Sequence, residues 1–386
     1  MGPGPGPGAV VLGGDYQGLG IVRSLGRHGV PVIVVDDERS IGGVSRWAAG
    51  KLRVASLRGD DDVLEALSRV RARFGGLDGW VVFPTRDENV AALSRHRAVL
   101  SRGWRIPAPV WDCVRVAWDK RETYRLAQKL EVASPRTWFD PGDVALGGPV
   151  IIKPAIKENF FYATRAKAWR ADSPESLRRQ FARAAEIIPP DEILIQEMIP
   201  GDGQFSYCAL IKDGAAVASM TVRRTRQHPS DFGRASTFVE TVDLPALAEP
   251  SLRFLREIGY YGLVELEYKL DPRDGEFKLL DVNARTWGYH TLGRAAGVDF
   301  PYLLFRDQTG LPVRPGQRAR AGVSWIRVAT DLPNAAVDLR AGRLKAGAYL
   351  RTLRGIDTEA VFSWRDPLPG LYETALLPYL AVRRGL

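Results

Sequence analysis

The stretch that most constrains the fold is residues 262–288, which read GLVELEYKLDPRDGEFKLLDVNARTWG. Two runs of alternating apolar and polar residues flank a DPRDGE turn, and this pattern predicts a β-hairpin. Because strand side chains alternate between faces, Glu265 and Glu267 share one face, and Asp281 and Asn283 share one face of the second strand. Folding at the turn therefore gathers carboxylates and an amide in one small volume.

Carboxylates held this close repel one another unless a cation lies between them. Hard oxygen ligands suit Mg²⁺, which commonly bridges one or two carboxylates to the phosphates of a substrate. The alternative interpretation of the spacing alone is an exposed hairpin with solvated carboxylates. Arg285 follows the second strand and is expected at the edge of this site.

Length and charge bound the classes of function. The 386 residues suffice for two or three domains, and the net charge is +9. Ten of the 54 basic residues are Lys and the rest are Arg, scattered along the chain rather than clustered with aromatics. This distribution argues against a nucleic-acid partner and favours a negatively charged small ligand.

The remaining composition, with only four His, favours a cytoplasmic protein without a His-rich metal site. Cys113 and Cys208 belong to no CxxC pattern, so we expect free thiols in a reducing compartment. No apolar run approaches the roughly 20 residues needed to span a bilayer, so no membrane partner is predicted. Residues 1–8, MGPGPGPG, lack the pattern of a secretory signal and are predicted to be a disordered leader.

Residues 9–36 predict a strand, a glycine turn, a helix and a second strand, which is a βαβ unit of a parallel sheet. The GGDYQGLG run does not fit the GxGxxG spacing, so a Rossmann-like scaffold without nicotinamide is favoured. A nicotinamide-dependent oxidoreductase, with Asp36 as the ribose acid, is the rival interpretation. The helix N-terminus near Gly18 could hold an anionic group.

Two further βα units complete a predicted α/β domain over residues 9–112. Thr85, Asp87 and Glu88 lie just past the carboxyl end of a strand, where open α/β sheets bind ligands. Capping of the next helix by Asp87 is the alternative.

The middle of the chain carries two lysines in unusual places. Asp119 and Glu122 form a plausible capping box for a helix through Lys129. Lys120 lies in the first turn of that helix, where a cation is unfavourable for the helix dipole. Lys153 ends the buried apolar run of GGPVIIKPA, and a Lys there normally needs an anionic partner.

Residues 191–236 combine a buried strand with basic residues. The strand ILIQEMI is interrupted by Gln196 and Glu197, whose hydrogen-bonding edges could contact a planar base. Two further strands are expected over 204–211 and 215–224. VRRTRQHPSDFGRAS is then expected to be a basic loop that binds phosphates next to the carboxylate hairpin.

The ordered series of motifs resembles the ATP-grasp superfamily, and within it the carboxylate–amine ligases that include D-aspartate ligase-like enzymes. The resemblance covers roughly residues 9–310. Its motifs in order are GGD-x-x-GLG, FPTRDE, WDKRETY, VIIKP, IQEMIPG, the R-x-R-Q-x-P loop, ELEYK and LLDVNARTWG.

The resemblance implies a nucleotide site. By matching motifs, Lys120 and Lys153 contact the ATP phosphates, and the adenine segment comprises Gln196, Glu197 and Ile199. For the ribose, the candidates are Asp202 and Gln204. The glycine-rich loop of many relatives is missing after Lys153, and Arg165 and Lys167 are expected to substitute for it.

The resemblance also implies the metal and catalytic residues. Mg²⁺, or alternatively Mn²⁺, is expected on Glu267, Asp281 and Asn283, with Glu265 the alternative to Glu267. Asp281 stands where many relatives have Glu. The expected catalytic residues, on the transferred phosphate and the developing charge, are Arg285, Arg224 and Arg226.

The fold implied is mixed α/β and α+β, with a Rossmann-like domain before a two-lobed ATP-grasp fold. The expected segments are the α/β domain over 9–112, a small lid lobe over 113–194, a large lobe over 195–320 and a C-terminal extension over 321–386. The expected activity is ATP-dependent joining of a small carboxylate to an amine through an acyl phosphate. A non-catalytic nucleotide-binding protein is the alternative, and a homodimer is an open expectation.

Overall fold

Three β-sheets organise the part of the chain that the structure describes. The computed structural model describes residues 6–145, 147–229, 233 and 235–384, with side chains through Tyr379. Residues 1–5 of the predicted leader lie outside the described residues. So do 230–232 and 234 of the predicted basic loop.

The N-terminal region is a parallel sheet between helices. Its elements are β1 (Ala9–Leu12), α1 (Tyr16–Arg27), β2 (Val32–Asp36), β3 (Ala48–Arg53), α2 (Asp60–Phe74), β4 (Trp80–Pro84), α3 (Asp87–Arg95), α4 (Arg97–Leu100) and β5 (Trp104–Arg105). The strand order is β3-β2-β1-β4-β5, with every pairing parallel. Strands β1, β2 and β4 are buried throughout because helices cover both faces.

A small antiparallel sheet follows. Its region comprises α5 (Trp111–Trp118), α6 (Lys120–Lys129), β6 (Thr137–Trp138), β7 (Val150–Pro154), α7 (Lys157–Thr164), β8 (Trp169–Ala171), α8 (Pro174–Ala185) and β9 (Ile193–Glu197). The strand order is β6-β9-β7-β8. Strand β9 crosses the lobe boundary expected at residue 194, and its pairing with β7 places all of it in the small sheet.

The large sheet carries the predicted hairpin. It contains β10 (Gln204–Lys212), β11 (Ala215–His228), β12 (Ala235–Thr241), α9 (Ala248–Glu257), β13 (Gly262–Leu270), β14 (Phe277–Asn283), α10 (Thr291–Ala295), α11 (Phe300–Gln308), β15 (Gln317–Arg318) and β16 (Ser324–Ile326). The chain ends with α12 (Val328–Arg340), α13 (Ala346–Leu353), β17 (Thr358–Glu359) and α14 (Leu368–Arg384). The order is β14-β13-β10-β11-β12-β16-β17, with β15 paired to β11.

The hairpin prediction is confirmed in its register. Glu265 lies opposite Asn283, and Glu267 lies opposite Asp281, in the antiparallel β13–β14 pair. The prediction of a loop over VRRTRQH is wrong, because β11 continues to His228 while paired with β12. The paired strand supplies hydrogen-bond partners that the local composition does not reveal.

The C-terminal segment is fixed to the rest of the molecule by buried ion pairs. Arg226 of β11 makes a two-point contact with Asp331 of α12, at 2.8 and 2.9 Å. Arg23 of α1 pairs with Asp366 at 2.9 Å. In the described ranges, none of the helices combines the length and apolar character needed to cross a bilayer.

Candidate active site

A cavity of about 1110 Å³ lies where the three sheets meet. Its wall takes residues from the N-terminal region, the small sheet, the large sheet and the C-terminal segment. The predicted residues in its wall are Lys120, Lys153, Lys167, Gln196, Glu197, Ile199, Gln204, Arg224, Arg226, Glu267, Asp281, Asn283 and Arg285. Sequence motifs spread over more than 160 residues therefore line one cavity.

The hairpin carboxylates lie on the cavity face of the large sheet. The Asn283 Nδ2 donates to Glu267 Oε1 at 2.9 Å and to Glu265 Oε2 at 3.2 Å. Arg224 reaches across from β11, and its Nη2 atom lies 3.0 Å from Glu267 Oε2. The interpretation as a solvated hairpin is wrong, because Glu265 is buried, its neighbours are only partly exposed, and these groups are bonded to one another.

The pKa values of the two glutamates of β13 are shifted in opposite directions. Burial opposes ionisation of Glu267, but Arg224, Lys167 and the Asn283 amide outweigh it and lower its pKa to about 2. For Glu265, burial and the neighbouring Glu267 charge raise the pKa. Ser206 donates to Glu265 at 3.0 Å, and Tyr289 also donates to it. Glu267 is thus the ionised carboxylate, while Glu265 is held by hydroxyl groups.

Lys120 and Lys153 converge on the same region by different routes. Asp119 caps α6 as predicted, but Glu122 pairs with Arg125 rather than completing a capping box. Lys120 Nζ lies 2.9 Å from Asp281 Oδ1. Burial tends to lower the pKa of Lys120, and the Asp281 carboxylate more than compensates and raises it.

Tyr124, which was not among the predicted site residues, connects Lys153 to the hairpin. Lys153 Nζ donates to the Tyr124 hydroxyl at 2.7 Å, and that hydroxyl donates to the Leu280 carbonyl oxygen at 2.7 Å. Its position four residues after Lys120 on one helix face could have indicated it.

The residues expected to contact the base lie at the small-sheet end of the cavity. Gln196 is buried and donates to Thr137 at 2.9 Å, while Glu197 pairs with Arg136 and Arg273. Ile199 is buried beside them. Gln204 accepts from Arg224 at 3.3 Å, and Asp202 also lines this part of the wall.

Asp87 joins the N-terminal region to both other lobes. Arg285 Nε donates to its Oδ1 at 2.5 Å, and Lys157 Nζ donates to its Oδ2 at 2.8 Å. The capping interpretation of Asp87 is wrong, because α3 begins at this residue and its side chain caps no backbone group. Burial disfavours the Asp87 charge, but Arg285 and Lys157 hold its pKa well below the usual range.

Lys167 and Arg165, which were expected to substitute for a glycine-rich loop, lie in different places. Lys167 lines the cavity, and burial lowers its pKa. Arg165 ends α7 in a left-handed conformation and is not one of the lining residues.

Arg226 differs from the other predicted catalytic residues. Its guanidinium binds Asp331 and also donates to the Thr352 hydroxyl at 3.0 Å. The structure therefore brings Arg224 and Arg285 to the hairpin group but directs Arg226 to the C-terminal segment.

The first βαβ unit uses its polar groups internally. Asp15 caps α1 by accepting from the backbone of Gln17 and Gly18, so a side chain already fills the predicted anion position. Asp36 accepts from the Gly14 amide at 2.7 Å and pairs with Arg86. Neither group presents the geometry expected of a nicotinamide site.

The donor set of the hairpin fits Mg²⁺ by its chemistry. Two carboxylates and an amide supply oxygen ligands, and Glu267 is ionised at neutral pH. No three His, Cys, Asp or Glu side chains of the described ranges form a metal-binding group by themselves. Asn283 is therefore needed to complete the predicted set.

The chain is similar to known proteins that share one fold. Residues 190–330 match the family model described as ATP-grasp in the biosynthetic pathway with Ter operon. The chain is 25% identical over 214 residues to the D-aspartate ligase of Enterococcus faecium, covering 50% of each protein. The L-amino acid ligase of Bacillus licheniformis superposes with a TM-score of 0.62 at 14% identity, over 83% of this chain and 78% of that one. Residues 190–330 therefore match an ATP-grasp family, and the solved relatives share the fold of this chain.

The ATP-grasp fold extends over most of this chain. The Hydrogenobacter thermophilus biotin carboxylase domain dimer, solved with MgADP and bicarbonate, gives a TM-score of 0.64 at 14% identity over 82% of this chain and 73% of that one. At such low identities, the solved structures establish the fold alone. The chain spans about half the length of the curated relative it matches. The predicted resemblance to the ATP-grasp superfamily and the predicted fold class are confirmed.

Proposed function

We propose that this protein is an ATP-dependent ligase that activates a carboxylate as an acyl phosphate and condenses it with an amine. The observation that carries the proposal is the convergence of Glu267, Asp281 and Asn283 with Lys120 and Arg285 in one cavity. A carboxylate is a poor electrophile because its oxygens carry negative charge. Transfer of the γ-phosphoryl group creates a leaving group, and amine attack then yields an amide, ADP and phosphate.

The nucleotide is proposed to lie along the wall from the small sheet to the hairpin. Lys120 and Lys153 contact its phosphates, since both ammonium groups point into the region around Leu280 and Asp281. The base contacts the segment from Gln196 to Ile199, including Glu197. For the ribose, Gln204 and Asp202 remain the two candidates.

Glu267, Asp281 and Asn283 are proposed to hold Mg²⁺, with Mn²⁺ as the alternative ion. The bound ion supplies charge neutralisation at the phosphates. Before it binds, Lys120 and Arg224 neutralise the two carboxylates. These cations are therefore already placed beside the position of the transferred group.

Arg224 and Arg285 are proposed to stabilise the charge that develops during phosphoryl transfer and amine attack. The buried Nε of Arg224 has no hydrogen-bond partner within the described ranges, and the residue lines the cavity. Asp87 of α3 accepts two hydrogen bonds from the Arg285 guanidinium and so fixes its position. Phosphoryl transfer needs mainly such positioning.

The substrates are proposed to be small molecules, an amino acid or small carboxylic acid and an amine. The similarity to a D-aspartate ligase supports an amino acid as one partner. Helix α7 and strand β7 line the cavity. We propose that their lobe closes over bound substrates and excludes water, which otherwise hydrolyses an acyl phosphate. A homodimer and a cytoplasmic location remain proposals.

The test is ADP release from Mg²⁺–ATP against a crossed panel of D- and L-amino acids and amines, with products identified by mass. We expect one pair to give ADP and a product equal to the two masses less one water. ATP binding without ADP release from any pair would instead support a nucleotide-binding protein without ligase activity.

A further inference from the structure

Amide formation, which the proposed function requires, needs a proton acceptor beside the attacking nitrogen. An aliphatic amine is an ammonium ion at neutral pH, and the lone pair that attacks the acyl carbon is released only after one proton leaves. A buried carboxylate with a pKa near neutral is suited to accept that proton. The carboxylates of the cavity wall differ in how freely they can do so.

Most of these carboxylates are occupied by cations or hydrogen-bond donors. The pairs are Asp87 with Arg285 and Lys157, Glu197 with Arg136 and Arg273, Glu265 with Ser206 and Tyr289, Glu267 with Arg224 and Asn283, Asp281 with Lys120, and Asp338 with Arg343. A carboxylate held by a cation is a weak base, because protonation would break the pair. Asp202 belongs to the part of the wall proposed to contact the ribose.

Glu158 differs from this set. It is the second residue of α7, and its side chain lines the cavity. It makes no side-chain hydrogen bond or ion pair to another residue in the ranges that the structure describes. Its neighbour Lys157 binds Asp87, which in turn binds Arg285, so α7 is fixed beside the proposed reaction centre.

We propose that Glu158 is the general base that deprotonates the amine substrate. Its carboxylate takes one proton from the ammonium group, and the neutral nitrogen forms the C–N bond to the acyl carbon. The C–O bond to phosphate breaks as that bond forms, and phosphate leaves with the electron pair. The second proton of the nitrogen passes to the departing phosphate or to water.

The electrostatic surroundings agree with this role. Burial, together with the Asp87 and Glu88 carboxylates of α3, raises the pKa of Glu158 to about 7, although Lys157 of the same helix opposes them. A base with this pKa is half ionised near neutral pH and can both accept and release a proton. Neighbouring Tyr162 donates to Glu88, which keeps that second carboxylate in place.

The test separates deprotonation from carboxylate activation. Hydroxylamine is largely neutral at pH 7, so it attacks an acyl phosphate without needing a base. The carboxylate substrates in this assay are the amino acids of the panel described above, D-aspartate included. For E158Q, we expect the rate of hydroxamate formation to remain within about twofold of that of the unsubstituted protein. The rate of amide formation with the aliphatic amine found in that panel should fall about 100-fold. The acid limb of the amine-coupling rate, centred near pH 7, should disappear.

Two further variants complete the design. E158D keeps a carboxylate and should recover part of the amine coupling, whereas E186Q alters an exposed glutamate of the same lobe and should behave as the unsubstituted protein. Equal loss of hydroxamate and amide in E158Q, or no loss of either, would overturn the assignment of Glu158. If the unsubstituted protein binds ATP but forms neither product, the proposed ligase function fails, and the assignment fails with it.

Discussion

Arg224 and Arg226 lie two residues apart on β11, yet they belong to two different regions of the molecule. Arg224 contacts Glu267 at 3.0 Å on the cavity face of the hairpin. Arg226 is enclosed by Asp331, Thr352 and aromatic rings at the junction between β11 and the C-terminal segment. The register of β11 against β12 shifts between the two arginines, and their side chains meet different partners.

The difference teaches that a buried charge acquires its role from its surroundings. Arg226 pairs with Asp331 through two hydrogen bonds, and the Asp331 carboxylate is fully buried. Around Arg224, a donor remains unpaired within the described ranges and the group borders an open cavity. The first arrangement suits cohesion of the fold, and the second suits binding of an anion.

The largest expected effect is loss of activity in E267Q. Removing the ionised carboxylate of the metal set should lower ADP formation about 10³-fold, because the phosphate charge loses a positioned partner. The measurement is ADP release with the substrate pair found above, together with a circular dichroism spectrum to check the fold. E276Q, in the exposed hairpin turn, is the matched control. Retained turnover in E267Q would remove Glu267 from the metal site.

The next largest effect is on stability and concerns the junction between Arg226 and the C-terminal segment. R226A leaves Asp331 buried without its cation and should lower the free energy of unfolding by about 3 kcal/mol. Urea unfolding measures the change, and nucleotide affinity of the folded variant should remain within about twofold. A variant with native stability and weakened ATP binding would return Arg226 to the catalytic group.

A third expected effect is a pH dependence that distinguishes Glu267 from Glu265. The folded pKa of Glu267, about 2, lies below its ordinary value of 4.5, so its contribution to stability is present above pH 4.5 and is lost as the pH falls toward 2. A carboxyl group that binds its proton tenfold more weakly in the folded chain than in the unfolded chain stabilises the fold by about 1.4 kcal/mol.

Urea unfolding of the ligand-free protein between pH 2 and 7 checks this expectation. Below pH 4.5, the free energy of unfolding of E267Q should fall less steeply than that of the unsubstituted protein. E265Q should not show that loss, because burial raises the folded pKa of Glu265. Identical pH profiles for the two variants would contradict the opposite pKa shifts of Glu267 and Glu265.

The smallest expected effect sharpens the comparison within the C-terminal segment. Arg343 pairs with Asp338, but its side chain is 57% exposed. R343A should change the free energy of unfolding by less than about 1 kcal/mol, because water screens exposed pairs. Urea unfolding beside R226A provides the measurement. A loss as large as that of R226A would show that burial does not explain the difference.

Much of the cavity could be predicted because each motif carries its own local signal. The alternation in β13 and β14 placed Glu267, Asp281 and Asn283 together, and the register confirms this placement. Lys153 stood out as a charge at the end of a buried run. Such signals depend on residues close in sequence, where strand period and turn chemistry act directly.

Other residues carried no local signal. Glu158 is unremarkable in KENFF, and its altered protonation arises from burial and from Asp87 and Glu88, about 70 residues earlier. The C-terminal segment likewise showed no chemistry, although Asn334 and Asp338 line the cavity. Long-range packing decides burial, and burial decides the energy of a charge.

The sequence by itself determined the order of the sheets' building blocks, the carboxylate hairpin and the resemblance to the ATP-grasp superfamily, because these rest on periodicity and on ordered motifs. Only the tertiary structure decided which arginine contacts the hairpin carboxylates and that Asp87 ties three regions together. It also decided that strand β11 runs through the expected loop. The physical reason is that strand pairing and the desolvation of charges depend on partners far apart in the chain, which no local pattern specifies.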